Sequence, residues 1–282
     1  MLSIALNGGA RRDARAAAAG RTAALNAYAA SSGAILAVAP ELCRLAATEL
    51  VALLRAGKAS AREVATAFLD HIDAVNPRFN AIVSLRPRDQ ILSDADAADR
   101  ARMRDEALGP LHGLPQAFKD LALTRGLRTT FGSPLFADFV PEIDALIVER
   151  ARQAGAIVIG KTNTPEFGLG SQTYNDVFGT TRNAYDPART AGGSSGGAAV
   201  ALALRLLPVA DGSDMGGSLR NPAAYNNIFG LRPSQGRVPA APATDLFYQQ
   251  LGCEGPMARN VRDLALLLSV QAGYDPRHRS FA

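Results

Sequence analysis

The chain has 282 residues, 48% of them apolar and 20% charged, enough for one large domain or two ordinary ones with a sizeable core. It has no run of about 18 apolar residues to cross a membrane, and its three histidines and two distant cysteines, Cys43 and Cys253, show no metal-site spacing. The net charge of +4 does not argue for a nucleic-acid partner, because Arg11, Arg12, Arg15 and Arg21 against Asp13 alone put most of it in residues 1–39.

Residues 1–39 are alanine-rich and lack a clear amphipathic period. Their apolar stretch "AILAVA" is too short for a signal peptide core. They read as a disordered leader before a domain spanning 40–282. The two cysteines read as reduced thiols of a cytoplasmic protein.

From Pro40 the texture changes. "ELCRLAATELVALLRAG" spaces Leu42, Leu45, Leu50, Leu53 and Leu54 as a helix and ends on Gly57. Ser60 opens a second helix with Glu63 three residues on, a capping-box pattern. Asn76-Pro77 is expected to stop it, and His71 within it reads as a surface or half-buried residue. "FNAIVSL" (79–85) predicts a strand, and residues 89–106 a polar surface helix.

The middle of the chain alternates. "LPQAFKDLAL" (114–123) is strand-like. Residues 144–154 form an amphipathic helix closed by Gly155. "AIVIG" (156–160) is a continuous apolar run, as in a buried parallel strand. A buried helix follows over 198–206, a strand with its exit loop over 207–214, and a late helix over 260–273. Helices alternating with strands predict an α/β domain with helices on both faces of a sheet.

The stretch "TAGGSSGGAAVALAL" (190–204) sets four glycines around Ser194 and Ser195. A linker expects polar flanks, whereas these glycines run straight into an apolar helix. A phosphate loop expects GxxxxGK[ST] or GxGxxG, and neither is present. A catalytic turn is the third reading. A second segment, "DGSDMGGSLRNP" (211–222), again puts Gly-Gly beside a serine, Ser218. Glycine amides converging on one point suit an oxyanion, and a serine there can attack if a base is near.

A histidine base has little support. His112 lies in the turn-rich "GPLHGLP", His71 and His278 have no supporting pattern, and no GxSxG elbow occurs. Lysine is rare here: Lys58, Lys119 and Lys161 are the whole set. Lys119 follows the apolar "LPQAF", which points it toward the core side of the sheet, where desolvation makes an amine neutral near pH 7. The competing reading is a surface lysine or an ion pair with Asp120.

Taken together, "GLPQAFKD", "GKTNTPEFG", "TAGGSSGGAAVAL" and "DGSDMGGSLRNP" resemble the amidase signature family, in that family's order and spacing, over residues from about 40 through "GYDPR" near the end. The resemblance implies the amidase signature fold, a mixed β-sheet core flanked by helices on both faces. It implies a Ser-cisSer-Lys triad: Ser218 as nucleophile, Ser194 as relay after a cis Gly193–Ser194 peptide, and Lys119 as base. Met215, Gly216, Gly217 and Ser218 would supply the amides of the oxyanion hole. Ser195 would support the lysine or nearby backbone. Asp214 and Arg220 would brace the loop, unless they are a plain surface ion pair. The implied reaction hydrolyses a small-molecule amide through an acyl-enzyme, with no metal or other cofactor and no nucleic-acid or membrane partner. A homodimer stays open.

Two rival readings accompany it. Family members usually continue well beyond "GYDPR", so the chain could be a shortened, inactive fragment that serves as a binding or vestigial module. The same signature also resembles the A subunit of a glutamine-dependent tRNA amidotransferase, which implies partner subunits and ammonia transfer. The wording of "GTTRNAYDPARTAGGSSGG" looks more like a stand-alone bacterial amidase.

Overall fold

The computed structural model describes residues 39–242 and 251–278, all of which belong to the unit Ala39–Ala282. The expected leader, apart from Ala39, lies outside the described residues.

The first helical stretch is broken in two, α1 (Glu41–Arg44) and α2 (Ala47–Arg55). Leu45 and Ala46 are extended between them, at ψ 154° and 152°. The break has a tertiary cause. The carboxylate of Asp263, from the far end of the chain, accepts the Ala47 and Thr48 amides at 2.8 and 2.9 Å and the Thr48 hydroxyl at 3.0 Å. It starts α2 afresh by satisfying amides that a helix leaves unpaired. Gly57, at φ +64°, follows the end of α2.

Helix α3 (Ala61–Phe79) opens on the expected box: the Glu63 amide donates to Ser60 Oγ at 3.0 Å, and the Ser60 amide donates to Glu63 Oε2 at 2.8 Å. Pro77 does not stop it. A proline this near the end removes one late ladder bond, and the helix closes instead on Asn80, which is left-handed at φ 53° and donates to Asn76 O at 2.7 Å. The Asn76 side chain accepts the Ala81 and Ile82 amides and turns the chain into β1 (Ile82–Val83). His71 is buried, not at the surface, with Nε2 2.9 Å from the Leu204 carbonyl.

Helix α4 (Arg88–Met103) buries only Ile91 and Ala95. Strand β2 (Pro115–Lys119), helix α5 (Leu146–Gln153) and strand β3 (Ile157–Thr162) follow. They build a mixed sheet of order β1-β3-β2, with β3 parallel to β2 and antiparallel to β1. A short hairpin, β4 (Tyr174–Asn175) and β5 (Gly179–Thr180), precedes helix α6 (Gly196–Ala203), whose eight residues are all buried. Strand β6 (Val209–Asp214), helix α7 (Arg220–Tyr225), strands β7 (Phe229–Gly230) and β8 (Cys253–Ala258), and helix α8 (Val261–Gln271) complete the described fold. The second sheet is antiparallel, of order β6-β8-β7.

The architecture is mixed α/β, and its centre is α6, which touches strands of both sheets. That approach requires glycine: a Cβ on Gly197 would lie 2.3 Å from the Asn163 amide nitrogen and 2.6 Å from the Ala81 carbonyl oxygen. The two sheets meet where the Lys119 amide donates to the Asp211 carboxylate at 3.2 Å. Among the described residues no helix is long and apolar enough to cross a membrane.

Asp263 is fully buried and binds two backbone amides and a hydroxyl from α2 and the Asn260 side chain. Asp263→Ala leaves those donors unpaired and is expected to lower the unfolding free energy by about 3 kcal/mol in urea titration. Ser60→Ala, at an exposed cap, is expected to lower it by only about 1 kcal/mol.

Candidate active site

Lys119 is the last residue of β2, a strand buried along its whole length, and its side chain is 1% exposed. Its Nζ lies 2.7 Å from Ser194 Oγ, 2.9 Å from Ser195 Oγ and 2.9 Å from Ser213 Oγ. Three hydroxyls suit an amine in either state. They accept three N–H bonds from an ammonium, or accept two and donate one to a neutral amine's lone pair. Burial pulls the Lys119 amine down to about 7, against the carboxylates of Asp211, Asp214 and Glu254. Lys119 does not pair with Asp120, whose carboxylate instead accepts the Thr130 amide at 3.1 Å and hydroxyl at 2.6 Å.

Ser194 and Ser195 sit on the turn that leads into α6, both buried, and the Gly193–Ser194 peptide is cis. The Ser195 amide donates to the Ser218 carbonyl at 3.2 Å. This bond holds the second serine loop against the first. Ser195 Oγ also lies 3.3 Å from both the carbonyl oxygen and the amide nitrogen of Ser213. Ser218 is half-buried on the loop after β6, beside exposed Met215 and Gly216.

The loop is shaped by Asp214. Its side chain is fully buried and accepts the Gly217 amide at 2.7 Å, the Leu219 amide at 3.1 Å, Arg220 Nε and Nη2 at 3.0 and 3.1 Å, and Arg232 Nη1 at 3.2 Å. Burial alone pushes this carboxyl up. The hydrogen bonds from Arg220, Gly217 and Leu219 outweigh it and hold the group well below the usual carboxylate range. Asp214 and Arg220 are therefore more than a surface pair. The Gly217 amide is committed to this contact. The amides of Met215, Gly216 and Ser218 have no acceptor among the described residues and are open to a developing oxyanion.

Several groups at the site are absent from the sequence-based set. Ser213 is the third hydroxyl on Lys119, and Arg232 is the second guanidinium on Asp214. Asp211 and Glu254 are buried carboxyls whose ionisation burial resists, pushed up to about 6 and about 8. Ser213 and Asp211 had a signal: they alternate within "DGSDMGGS" and so share a strand face. The histidines take other roles. His71 faces Leu204, and His112 is buried beside Gly155.

Asp214→Asn removes the charge from this buried knot and is expected to cost about 3 kcal/mol of stability in denaturant titration. Arg220→Gln is expected to lower stability far less than Asp214→Asn in the same titration, since its side chain is 56% exposed and Arg232 remains.

Known proteins resemble this chain in sequence and overall fold. The family described as Amidase matches residues 63–282. The A subunit of the glutamyl-tRNA(Gln) amidotransferase of Chromohalobacter salexigens is 46% identical over 230 residues, covering 82% of this chain and 47% of the relative. A bacterial aryl acylamidase of the amidase signature family superposes with a TM-score of 0.78 at 36% identity, covering 83% of this chain and 49% of the other. The native peptide amidase of Stenotrophomonas maltophilia superposes with a TM-score of 0.75 at 35% identity, covering 83% and 49%. The chain spans about half the length of the curated relatives it matches.

Proposed function

The chain belongs to the amidase family, and on that premise we propose that it hydrolyses carboxylic amides through Ser218, Ser194 and Lys119. The observation that carries the reading is the buried Lys119 amine set 2.7 Å from Ser194 and 2.9 Å from Ser195 and Ser213.

In this reading neutral Lys119 takes the Ser194 hydroxyl proton as Ser194 takes that of Ser218. Ser218 Oγ bonds to the amide carbon, and the carbonyl π pair becomes an oxyanion facing the amides of Met215, Gly216 and Ser218. The C–N bond then breaks, and the proton returns through Ser194 to the departing nitrogen. A water molecule attacks the acyl-Ser218 ester along the same relay, releasing the acid and restoring Ser218. The buried free thiols of Cys43 and Cys253 support a reducing, cytoplasmic setting.

The test is hydrolysis of simple aliphatic and aryl amides by the purified chain, with Ser218 labelled by a fluorophosphonate and mapped by mass spectrometry. Ser218→Ala and Lys119→Ala are each expected to lower the rate by at least about a thousandfold. The labelling rate is expected to rise as pH increases through about 7 and then level off, because Lys119 acts as base only once it has lost its proton. A folded chain that takes no label and turns over no amide would refute the proposal.

A second reading draws on the curated relatives, which are glutamyl-tRNA(Gln) amidotransferase A subunits at 44–46% identity. It keeps the same triad but makes glutamine the amide and a partner protein the destination of the ammonia. Ammonia release from glutamine that requires added partner subunits, with no turnover of simple amides, would favour it.

A further inference from the structure

Two segments beside the site gather four phenylalanines. Phe131 meets Phe136 edge-on at 5.2 Å between ring centroids and stacks on Phe139 at 6.0 Å. Phe136 meets Phe139 at 5.9 Å and Phe167 edge-on at 6.1 Å. These separations suit attractive aromatic pairs, yet the rings are not sealed in a core. Phe136, Phe139 and Phe167 are 36%, 38% and 44% exposed, flanked by Leu135 and Leu169 at 83% and 75%.

The cluster is fixed to the candidate catalytic strand. Asp120, the residue after Lys119, binds Thr130 through both its amide and its hydroxyl, and Thr130 precedes Phe131. The Phe139 carbonyl accepts the Thr129 amide at 2.9 Å, which closes the loop on itself. The Phe167 amide donates to the Phe131 carbonyl at 2.7 Å and joins the two segments. Phe167 is held at φ 52°, a backbone region a bulky side chain adopts only when its surroundings impose it. The next residue, Gly168, is at the relay serine itself. A Cβ on Gly168 would lie 3.6 Å from Ser194 Oγ and 2.7 Å from Leu121 Cδ1.

An apolar, braced and partly open wall that begins one residue from the relay serine suits a ring on the molecule being cleaved. We propose that Phe131, Phe136, Phe139 and Phe167 form the subsite for an aromatic substituent of the amide substrate. The substrate class is then an amide carrying an aryl group next to the scissile bond. This rests on the amide-hydrolase reading above. A ring on the substrate that met the exposed faces or edges of these phenylalanines would extend the same aromatic packing. Phe136 and Phe167 are the specificity-determining positions, being the pair that bridges the two segments.

The test measures protection of Ser218. The full chain is labelled with a small ethoxy-methyl fluorophosphonate in the presence of acetamide, benzamide or acetanilide. At least one aryl amide is expected to protect at about a tenfold lower concentration than acetamide, the scale of burying one ring. That preference is expected to shrink to nearly none in Phe136→Ala and in Phe167→Leu, the second variant keeping an apolar side chain at the strained position. Labelling without any aryl preference in the wild type overturns this proposal and leaves the hydrolase reading standing. No labelling at all overturns both. Equal protection by all three amides, with a Phe136→Ser variant that changes the oligomeric state by size exclusion, would make the cluster a polypeptide contact and overturn the substrate assignment.

Discussion

The organisation of the site turns on one demand, that a lysine amine sit in the interior without being held permanently charged. An ammonium removed from water is strongly disfavoured, and a carboxylate at contact distance would restore its charge. The structure places hydroxyls there instead. Ser194, Ser195 and Ser213 can donate or accept, so they favour neither protonation state strongly. The carboxyls act from further away, and each is constrained. Asp211 receives the Lys119 main-chain amide, and Asp214 is locked by two arginines. Glu254, opposite Ser213 across the β6–β8 ladder, is pushed toward its neutral form. Their combined field offsets part of the burial, which leaves an amine that titrates near neutrality.

Holding this arrangement requires three distant pieces of chain to meet at hydrogen-bond distance. Strand β2 brings Lys119, the turn before α6 brings Ser194 and Ser195, and β6 with its exit loop brings Ser213 and Ser218. The bond from the Ser195 amide to the Ser218 carbonyl joins the last two directly. The glycine face of α6 lets the turn seat against Asn163 and Ala81 with no side chain between. Asp214 then fixes the loop from behind, drawing the Gly217 amide inward while its neighbours stay open. One amide of the four is thus structural, and the loop's shape depends on it.

Local signals were legible where both partners lie within a few residues. The Ser60–Glu63 box, the apolar run of β3 and the glycine-serine turns are of this kind. Features made by long-range partners were not. The break between α1 and α2 depends on Asp263, and the Gly-Pro sequence of β8 does not read as a strand until β6 pairs with it. At the site, the rare lysine and glycine-flanked serines stood out by type. Arg232 and Glu254 did not, because an arginine and a glutamate are ordinary residues until the fold places one on Asp214 and buries the other. Pro77 misled because a proline's effect depends on how many turns remain after it.

The end of β2 joins the candidate base to the ring cluster. Lys119, the last residue of the strand, reaches the serines, and Asp120, the residue after it, reaches Thr130. One strand end therefore positions the candidate base and also anchors the loop carrying Phe131, Phe136 and Phe139. Asp120 is itself buried, and that burial pushes its carboxyl up against the opposing charge of Lys161. A change at Asp120 would release the Thr130 contact that lies between the ring cluster and the end of β2. On the proposed reading, substitutions within the ring cluster and substitutions at its anchor differ in kind: the former touch only the rings, whereas the latter also touch the strand end that carries Lys119.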